Sequence, residues 1–155
     1  MNSGFWRDKS VLVTGHTGFK GGWLSLWLQQ LGARLHGYSL AAPTTPSLFH
    51  EARIADGMTH CEGDIRDLPR LKSCMTSAQP EIVFHLAAQA LVRQSYRDPT
   101  DTVTSNVIGT MNLLEAVRNT PSVKAVIVVT SDKCYENREW LWPYRENEAL
   151  GGKDP

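Results

Sequence analysis

A strand-turn-helix pattern near the amino terminus constrains this chain more than any other feature. The segment from Ser10 to Thr14 is a short aliphatic run, which predicts a buried parallel strand. It leads into Gly-His-Thr-Gly-Phe-Lys-Gly at positions 15–21, a Gly-x-x-Gly-x-x-Gly turn. A helical pattern follows, and Gly32 is expected to end it. We expect this helix to pack through one apolar face, formed by Trp23, Leu24, Trp27, Leu28 and Leu31.

Each glycine of the turn has a physical role. Gly15 lets the chain leave the strand sharply, and Gly21 lets the helix pack close to the sheet. Gly18 lacks a Cβ, so a pyrophosphate can approach the N–H groups at the positively polarised start of the helix. The alternative is a structural turn that binds nothing, but the flanking strand and helix favour a dinucleotide site.

Length and charge narrow the class of protein further. The chain has 155 residues, enough for one domain with a core, and 16 basic against 16 acidic side chains. This balance predicts no nucleic-acid partner. The apolar runs are of strand length and the amino terminus has no signal core, so we expect a cytoplasmic protein without a membrane span. The cysteines at 61, 74 and 134 match neither a disulfide framework nor a metal site.

The rest of the chain alternates between strand and helix patterns. Strands are predicted at Ala33–Leu40, Met58–Cys61, Glu81–Leu86 and Ala125–Val129. Helices are predicted around Leu48–Ala55, Leu68–Thr76 and Asp101–Asn119, with a loop or short helix at Leu91–Pro99. This alternation predicts a doubly wound α/β fold of Rossmann type, with a parallel sheet in the order 3-2-1-4-5.

The strand ends suggest how a dinucleotide would be held. A carboxylate usually holds the adenosine ribose at the end of the second strand, but here Tyr38, Ser39 and Leu40 stand there. The sequence therefore leaves NAD and NADP open, with Ser39 as a neutral substitute. After the third strand, Asp64 suits the adenine amine and Asp67 suits a helix cap.

Further candidates follow the fourth and fifth strands. Small residues after the fourth strand, at 87–88, would let a cofactor lie across the sheet. Asn106 either bridges to water or to a catalytic lysine, or is a surface residue. Arg93 and Arg97 either bind a substrate diphosphate or are solvated. The hydroxyl, carboxylate and amine of residues 131–133 follow the fifth strand at the ligand edge, which favours catalysis over an ordinary loop.

Three blocks together resemble the extended short-chain dehydrogenase/reductase family, and within it the CDP-glucose branch of the sugar-nucleotide 4,6-dehydratases. They are Gly-His-Thr-Gly-Phe-Lys-Gly-Gly-Trp at 15–23, His-Leu-Ala-Ala-Gln at 85–89 and Thr-Ser-Asp-Lys-Cys-Tyr at 130–135. The resemblance implies tightly held NAD, CDP-glucose as substrate, a homo-oligomer and a role in deoxysugar and lipopolysaccharide synthesis. The cofactor residues would be Gly15, Thr17, Gly18, Phe19, Lys20, Gly21, Asp64, Ile65, Leu86, Ala87, Ala88, Gln89 and Asn106, with Arg93 at the substrate.

The resemblance also assigns catalytic roles. Ser131 matches the hydroxyl that polarises the sugar C4 oxygen, and Asp132 matches the acid that protonates the departing C6 hydroxyl. Lys133 stands where other dehydratases usually have a glutamate base, and a lysine base must be neutral when it acts.

One family motif is absent from these residues. No tyrosine is followed by lysine four positions on, since Tyr135 and Tyr144 are followed by Glu139 and Glu148. We therefore expect 1–155 to be a dinucleotide-binding domain, truncated before this motif and without the substrate domain. The alternatives are a cofactor-binding module without catalysis of its own, or another sugar-nucleotide dehydratase or epimerase.

Overall fold

The computed structural model describes residues 3–152 and contains a five-stranded parallel sheet. The strands are β1 (Ser10–Thr14), β2 (Arg34–Ser39), β3 (Met58–Glu62), β4 (Ile82–His85) and β5 (Ala125–Val128). Their order is β3-β2-β1-β4-β5, which confirms the predicted topology. β1 therefore lies at the centre, and the chain changes direction between β1 and β4, where ligands bind in open α/β sheets.

The helices lie on both faces of this sheet. They are α1 (Ser3–Trp6), α2 (Phe19–Gln30), α3 (Leu48–Glu51), α4 (Leu68–Ala78), α5 (Val92–Arg97), α6 (Pro99–Val103) and α7 (Gly109–Arg118). The side chain of Asp67 accepts a hydrogen bond from Arg70 N at 3.0 Å, so Asp67 caps α4 as predicted. Gly32, with φ of 81°, follows α2 and confirms the predicted end of that helix.

The side chains of alternate residues in β1 pack into two separate hydrophobic cores, one on each face of the sheet. Leu12 packs with Val83 of β4 and with Leu71 and Leu113 from α4 and α7. Val11 and Val13 instead face a second cluster, which includes Leu28 of α2, Leu35 and Ile82. This two-sided burial is expected of a central parallel strand.

The predicted packing face of α2 is wrong for its two tryptophans, whereas Leu24 and Leu28 of that face do pack in the core. Trp23 and Trp27 are 55% and 49% exposed, whereas Gly21, Ser25 and Leu28 are buried. Residues two positions apart lie about 200° apart around a helix. Trp23 and Trp27 each stand two positions from the buried Ser25, so both tryptophan side chains point away from the sheet. The small stripe faces inward because it lets the helix axis approach β1 closely.

The predicted helix at Asp101–Asn119 is interrupted. A π-helical turn at Thr104–Ile108 separates α6 from α7. Such turns add a residue to the helical repeat and occur often at functional sites. Around it, Val103, Val107, Met111 and Leu114 are between 47% and 59% exposed. The helix pair therefore presents an apolar face to solvent.

Candidate functional site

A cavity of about 330 Å³ opens where β1, β2 and β4 end. Nine of the predicted cofactor residues line it: Gly15, Thr17, Gly18, Asp64, Ile65, Leu86, Ala87, Ala88 and Gln89. The lining also includes Tyr38, Ser39 and Leu40 from the end of β2, and residues that the sequence did not point to, namely Ala41, Pro43, Gly63, Arg66, Asp101 and Ser105. The carboxyl edge of the sheet thus brings most of the predicted cofactor residues together.

Other predicted site residues lie outside the cavity lining. Phe19 and Lys20 are exposed in the first turn of α2, and Gly21 is buried against the glycine turn. Asn106 lies in the π-helical turn behind the cavity. Arg93 is exposed on α5.

The glycine turn distinguishes structural glycines from a ligand-facing one. Gly15 has φ of 76°, and a Cβ there would lie 2.7 Å from Ala87 N. A Cβ on Gly21 would collide with the Gly15 carbonyl. Gly18 has a φ of −79°, and a Cβ there would meet only Gly15 O, at 3.4 Å. Protein packing therefore requires Gly15 and Gly21 but not Gly18, whose open side faces the cavity.

The start of α2 is open to an anion. Gly18 is its N-cap residue, no side chain caps it, and its first turn contains no acidic residue. The first N–H groups of a helix have no partner within the helix, and they carry partial positive charge. This end of α2 therefore has the donors that a diphosphate needs, next to the glycine without side-chain bulk.

His16 supports the turn from beneath. Its ring is fully buried, with Nε2 2.7 Å from His60 Nδ1, while Nδ1 is buried without a hydrogen-bond partner. A Cβ on Gly37 would lie 2.5 Å from this ring, so the glycine in β2 makes room for it. Burial, together with His60, lowers the pKa of His16 to about 4. Gly37, a glycine inside a strand pattern, was the sequence signal for this close approach.

An ionic bridge closes the side of the cavity expected to hold adenine. Arg66 donates to both carboxylate oxygens of Asp64 and, through Nη1, to Asp101 at 2.8 Å. The Arg66 guanidinium lowers the pKa of Asp64 and so keeps its carboxylate ionised. Buried Asn112 donates to the carbonyls of Ile65 and Arg66, at 3.2 and 3.0 Å. The backbone of this loop is therefore fixed from α7.

A buried hydrogen-bond chain fixes the backbone after β4. Thr14 Oγ1 accepts from the N–H groups of Leu86 and Ala87, both at 3.2 Å, so its own proton points to His85 Nδ1 at 2.7 Å. His85 Nε2 then donates to Thr110 Oγ1 at 3.0 Å, and Thr110 donates to Asn106 O at 2.6 Å. A neutral His85 with its proton on Nε2 satisfies all of these contacts, and burial favours this form by lowering the pKa of His85 to about 4.

Asn106 holds the next residue of the same loop. Its Oδ1 accepts from Gln89 N at 2.8 Å, and its Nδ2 donates to Gln89 O at 3.0 Å. Both ends of the amide are thereby used, so Asn106 positions the cavity wall from the π-helical turn. This differs from both sequence alternatives, a water or lysine bridge and a surface residue.

The stretch after β5 contributes no residue to the cavity lining. Ser131 and Lys133 are exposed, and Ser131 Oγ accepts from Lys133 N at 3.1 Å in a 3-10 turn over Asp132–Cys134. The side chain of Asp132 lies outside the described residues. Beyond the turn, the rings of Tyr135 and Tyr144 stack with centroids 5.2 Å apart.

The described part of the chain offers neither a metal cage nor a membrane helix. Within residues 3–152, no group of three or more His, Cys, Asp or Glu side chains is arranged to hold a metal ion. No helix in the same range has the length and apolarity needed to cross a membrane.

Comparison with known proteins gives a family and a fold. Residues 12–155 match the family model described as GDP-mannose 4,6 dehydratase. The CDP-glucose 4,6-dehydratase of Salmonella typhimurium is 56% identical over 155 residues, which is 100% of this chain but 43% of that protein. The chain therefore spans less than half the length of that relative.

Solved structures agree with the fold. UDP-glucose 4-epimerase from Brucella ovis, in complex with NAD, has a TM-score of 0.80 and 31% identity, over 94% of this chain and 42% of that one. The enzyme from Stenotrophomonas maltophila, with bound NAD and formylated UDP-arabinopyranose, has a TM-score of 0.81 and 28% identity, over 92% and 43%. These neighbours confirm the doubly wound dinucleotide-binding fold.

Proposed function

The chain belongs to the GDP-mannose 4,6-dehydratase family, and we propose that residues 1–155 form the NAD-binding domain of a CDP-glucose 4,6-dehydratase. The reaction converts CDP-D-glucose to CDP-4-keto-6-deoxy-D-glucose and water. The observation that carries the proposal is the 56% identity to such an enzyme along the entire chain. Synthesis of deoxysugars for lipopolysaccharide, a cytoplasmic location and a homo-oligomeric assembly belong to the same proposal.

The residues that line the cavity have the chemistry that NAD binding requires. The open N-terminus of α2 and the uncrowded Gly18 suit the diphosphate, and Asp64, which lines the cavity, is the proposed neighbour of the adenine amine. The chain after β4, which Thr14 and Asn106 hold in place, lies where the nicotinamide would cross the sheet. When bound, NAD supplies a hydride acceptor for C4 of the sugar and then a hydride donor for C6.

The proposed acid–base groups follow β5. Ser131 holds the C4 oxygen, Asp132 protonates the departing C6 hydroxyl, and Lys133 removes the C5 proton. Arg93 contacts the substrate diphosphate. Lys133 and Arg93 are both exposed in this structure, so substrate or further protein must cover them before they act. Desolvation of this kind favours the neutral form of a lysine, which a base requires.

A second candidate is a cofactor-binding module without catalysis of its own. The exposure of Ser131 and Lys133, and their absence from the cavity lining, favour it. A related dehydratase or epimerase acting on another sugar nucleotide is the third candidate, since epimerases share this fold.

The test pairs mass spectrometry of the native protein with a turnover assay. The protein is purified at the length its host makes, and NAD is added with CDP-glucose, UDP-glucose or GDP-mannose. We expect a 4-keto-6-deoxy product from CDP-glucose, with one solvent deuterium at C5 in heavy water. Ser131→Ala should lower turnover at least about 100-fold while NAD still binds. NAD binding without any turnover would support the module instead, and a C4 epimer as product would support an epimerase.

A further inference from the structure

The end of β2 holds a pair of hydroxyls where a carboxylate would be expected. Ser39 is the last residue of β2, and Thr17 lies in the glycine turn opposite it. Both side chains are buried, both residues line the cavity, and their oxygens are 2.7 Å apart. The pair therefore lies at the position from which dinucleotide folds read the adenosine ribose.

A third atom fixes the direction of the hydrogen bonds. Thr17 Oγ1 also lies 2.9 Å from the carbonyl oxygen of Leu40, and a carbonyl can only accept. The single proton of Thr17 therefore goes to Leu40 O. The proton between the two hydroxyls must then come from Ser39, which donates to Thr17. Were the direction reversed, two oxygens would face each other at 2.9 Å without a proton between them.

This direction leaves Ser39 Oγ with lone pairs and no proton to offer. Among the described residues, no other hydrogen bond to this oxygen is present. A ligand in the cavity can therefore donate to Ser39 but cannot receive from it. A ribose hydroxyl is such a donor, whereas a phosphate ester at the same position presents mainly acceptor oxygens.

The charges near the Thr17–Ser39 pair also disfavour a 2′-phosphate. Leu40, Ala41 and Pro43, the neighbouring residues in the lining, are uncharged. The cation in the lining, Arg66, is already paired with Asp64 and Asp101. A 2′-phosphate would thus meet an acceptor oxygen without an available cation.

We infer that the Thr17–Ser39 hydroxyl pair is the cofactor-specificity determinant of this protein: Ser39 accepts a hydrogen bond from the adenosine ribose 2′-hydroxyl and excludes the 2′-phosphate of NADP. The inference rests on the proposed function, because it assumes a nicotinamide dinucleotide in the cavity. It goes beyond that function by naming the side chains that select NAD over NADP without a carboxylate. A neutral acceptor forms a weaker hydrogen bond than a carboxylate does. We therefore expect the pair to prefer NAD over NADP while it contributes only modestly to the affinity for the ribose.

The test measures equilibrium binding on the native protein, by calorimetry, with three ligands. These are NAD, NADP and NAD with a 2′-deoxy adenosine ribose. We expect 2′-deoxy-NAD to bind about 3- to 10-fold more weakly than NAD, as for the loss of one hydrogen bond. NADP should bind at least about 10-fold more weakly than NAD.

Two variants test the assignment of the protons. Ser39→Ala should bind NAD as weakly as the unaltered protein binds 2′-deoxy-NAD, and it should no longer distinguish these two ligands. Thr17→Val removes the acceptor for the Ser39 proton, which can then turn to the ligand, so the ratio of NADP affinity to NAD affinity should rise. Thermal melting of each variant shows whether it is folded.

The outcomes separate this inference from the proposed function. If the unaltered protein binds none of the three ligands, the proposed function itself fails. If it binds NAD but treats NAD, 2′-deoxy-NAD and NADP alike, the inference is overturned and the function stands. A Ser39→Ala protein that still prefers NAD over 2′-deoxy-NAD by the original factor also overturns it, and a loss of that preference supports it.

Discussion

Gly18 and Gly21 stand three positions apart in the same turn but have different surroundings. The space beside Gly18 is open to the cavity, whereas Gly21 is pressed against the backbone of Gly15 and His16. A methyl group at the two positions therefore has different consequences, one for ligand binding and one for folding.

We predict that Gly18→Ala lowers NAD affinity at least about tenfold while it lowers the unfolding free energy by no more than about 1 kcal/mol. The matched control is Gly21→Ala, which should lower the unfolding free energy by about 1–3 kcal/mol or more through overpacking. Urea titration and calorimetry with NAD measure the two quantities. Full NAD affinity in a folded Gly18→Ala protein would contradict the ligand-facing role of Gly18.

At the scale of elements, α2 shows that helix orientation depends on more than hydrophobicity. Its large tryptophans face outward, and its inward stripe consists of Gly21, Ser25 and Leu28. Ser25 satisfies its buried hydroxyl locally by donating to Gly21 O at 2.8 Å. Small residues on the inward stripe leave room for the sheet, and close packing is favoured over burial of bulkier groups.

We predict that the double substitution Trp23→Gln and Trp27→Gln changes the unfolding free energy by less than about 1 kcal/mol, as for surface positions. Leu28→Ala on the same helix should cost about 2–5 kcal/mol, because it leaves a cavity beside Val11 and Val13. Chemical denaturation of both proteins gives the comparison. A tryptophan pair that costs as much as Leu28 would show that the apolar stripe does pack.

Some of the elements could be predicted from the sequence, and others could not. Strand order, the glycine turn, the Asp67 cap and the small residues after β4 follow from local patterns and from known chain topology. The π-helical turn at Thr104–Ile108 could not be predicted, because no local pattern marks it and its Asn106 is bonded to Gln89, which lies far away in the chain. The pairing of Arg66 with Asp101 likewise joins residues far apart in the chain. The catalytic roles expected for Ser131 and Lys133 stay a prediction, because both residues are exposed and neither lines the cavity.

At the scale of the whole molecule, two buried neutral histidines make stability depend on pH. His16 and His85 are 0% and 2% exposed, and burial lowers the pKa of each from 6.5 to about 4. Between these values the unfolded chain binds more protons than the folded one, so unfolding is favoured as the pH falls. Their stabilising effect is complete above pH 6.5 and is lost as the pH falls towards 4.

We predict that the unfolding free energy falls between pH 6.5 and pH 4.5, with each histidine contributing about 3 kcal/mol over its full range. Denaturant titrations at successive pH values measure the slope, and His85→Gln should reduce it. The carboxylates of Glu81 and Glu115, whose basic partners lower their pKa to about 2, act mainly below this interval. A pH-independent unfolding free energy across the interval would contradict the prediction.

The hydrogen-bond chain of the Thr14, His85 and Thr110 side chains, which ends at the backbone carbonyl of Asn106, also limits how this protein can diverge. Each link has one proton and one direction, so a change at a single position leaves a buried neighbour with two donors or two acceptors facing each other. Such changes are tolerated only when a second position changes with the first. Among descendants of this sequence, we therefore expect these side chains to be inherited or replaced as a set, even though none of them has to touch the ligand.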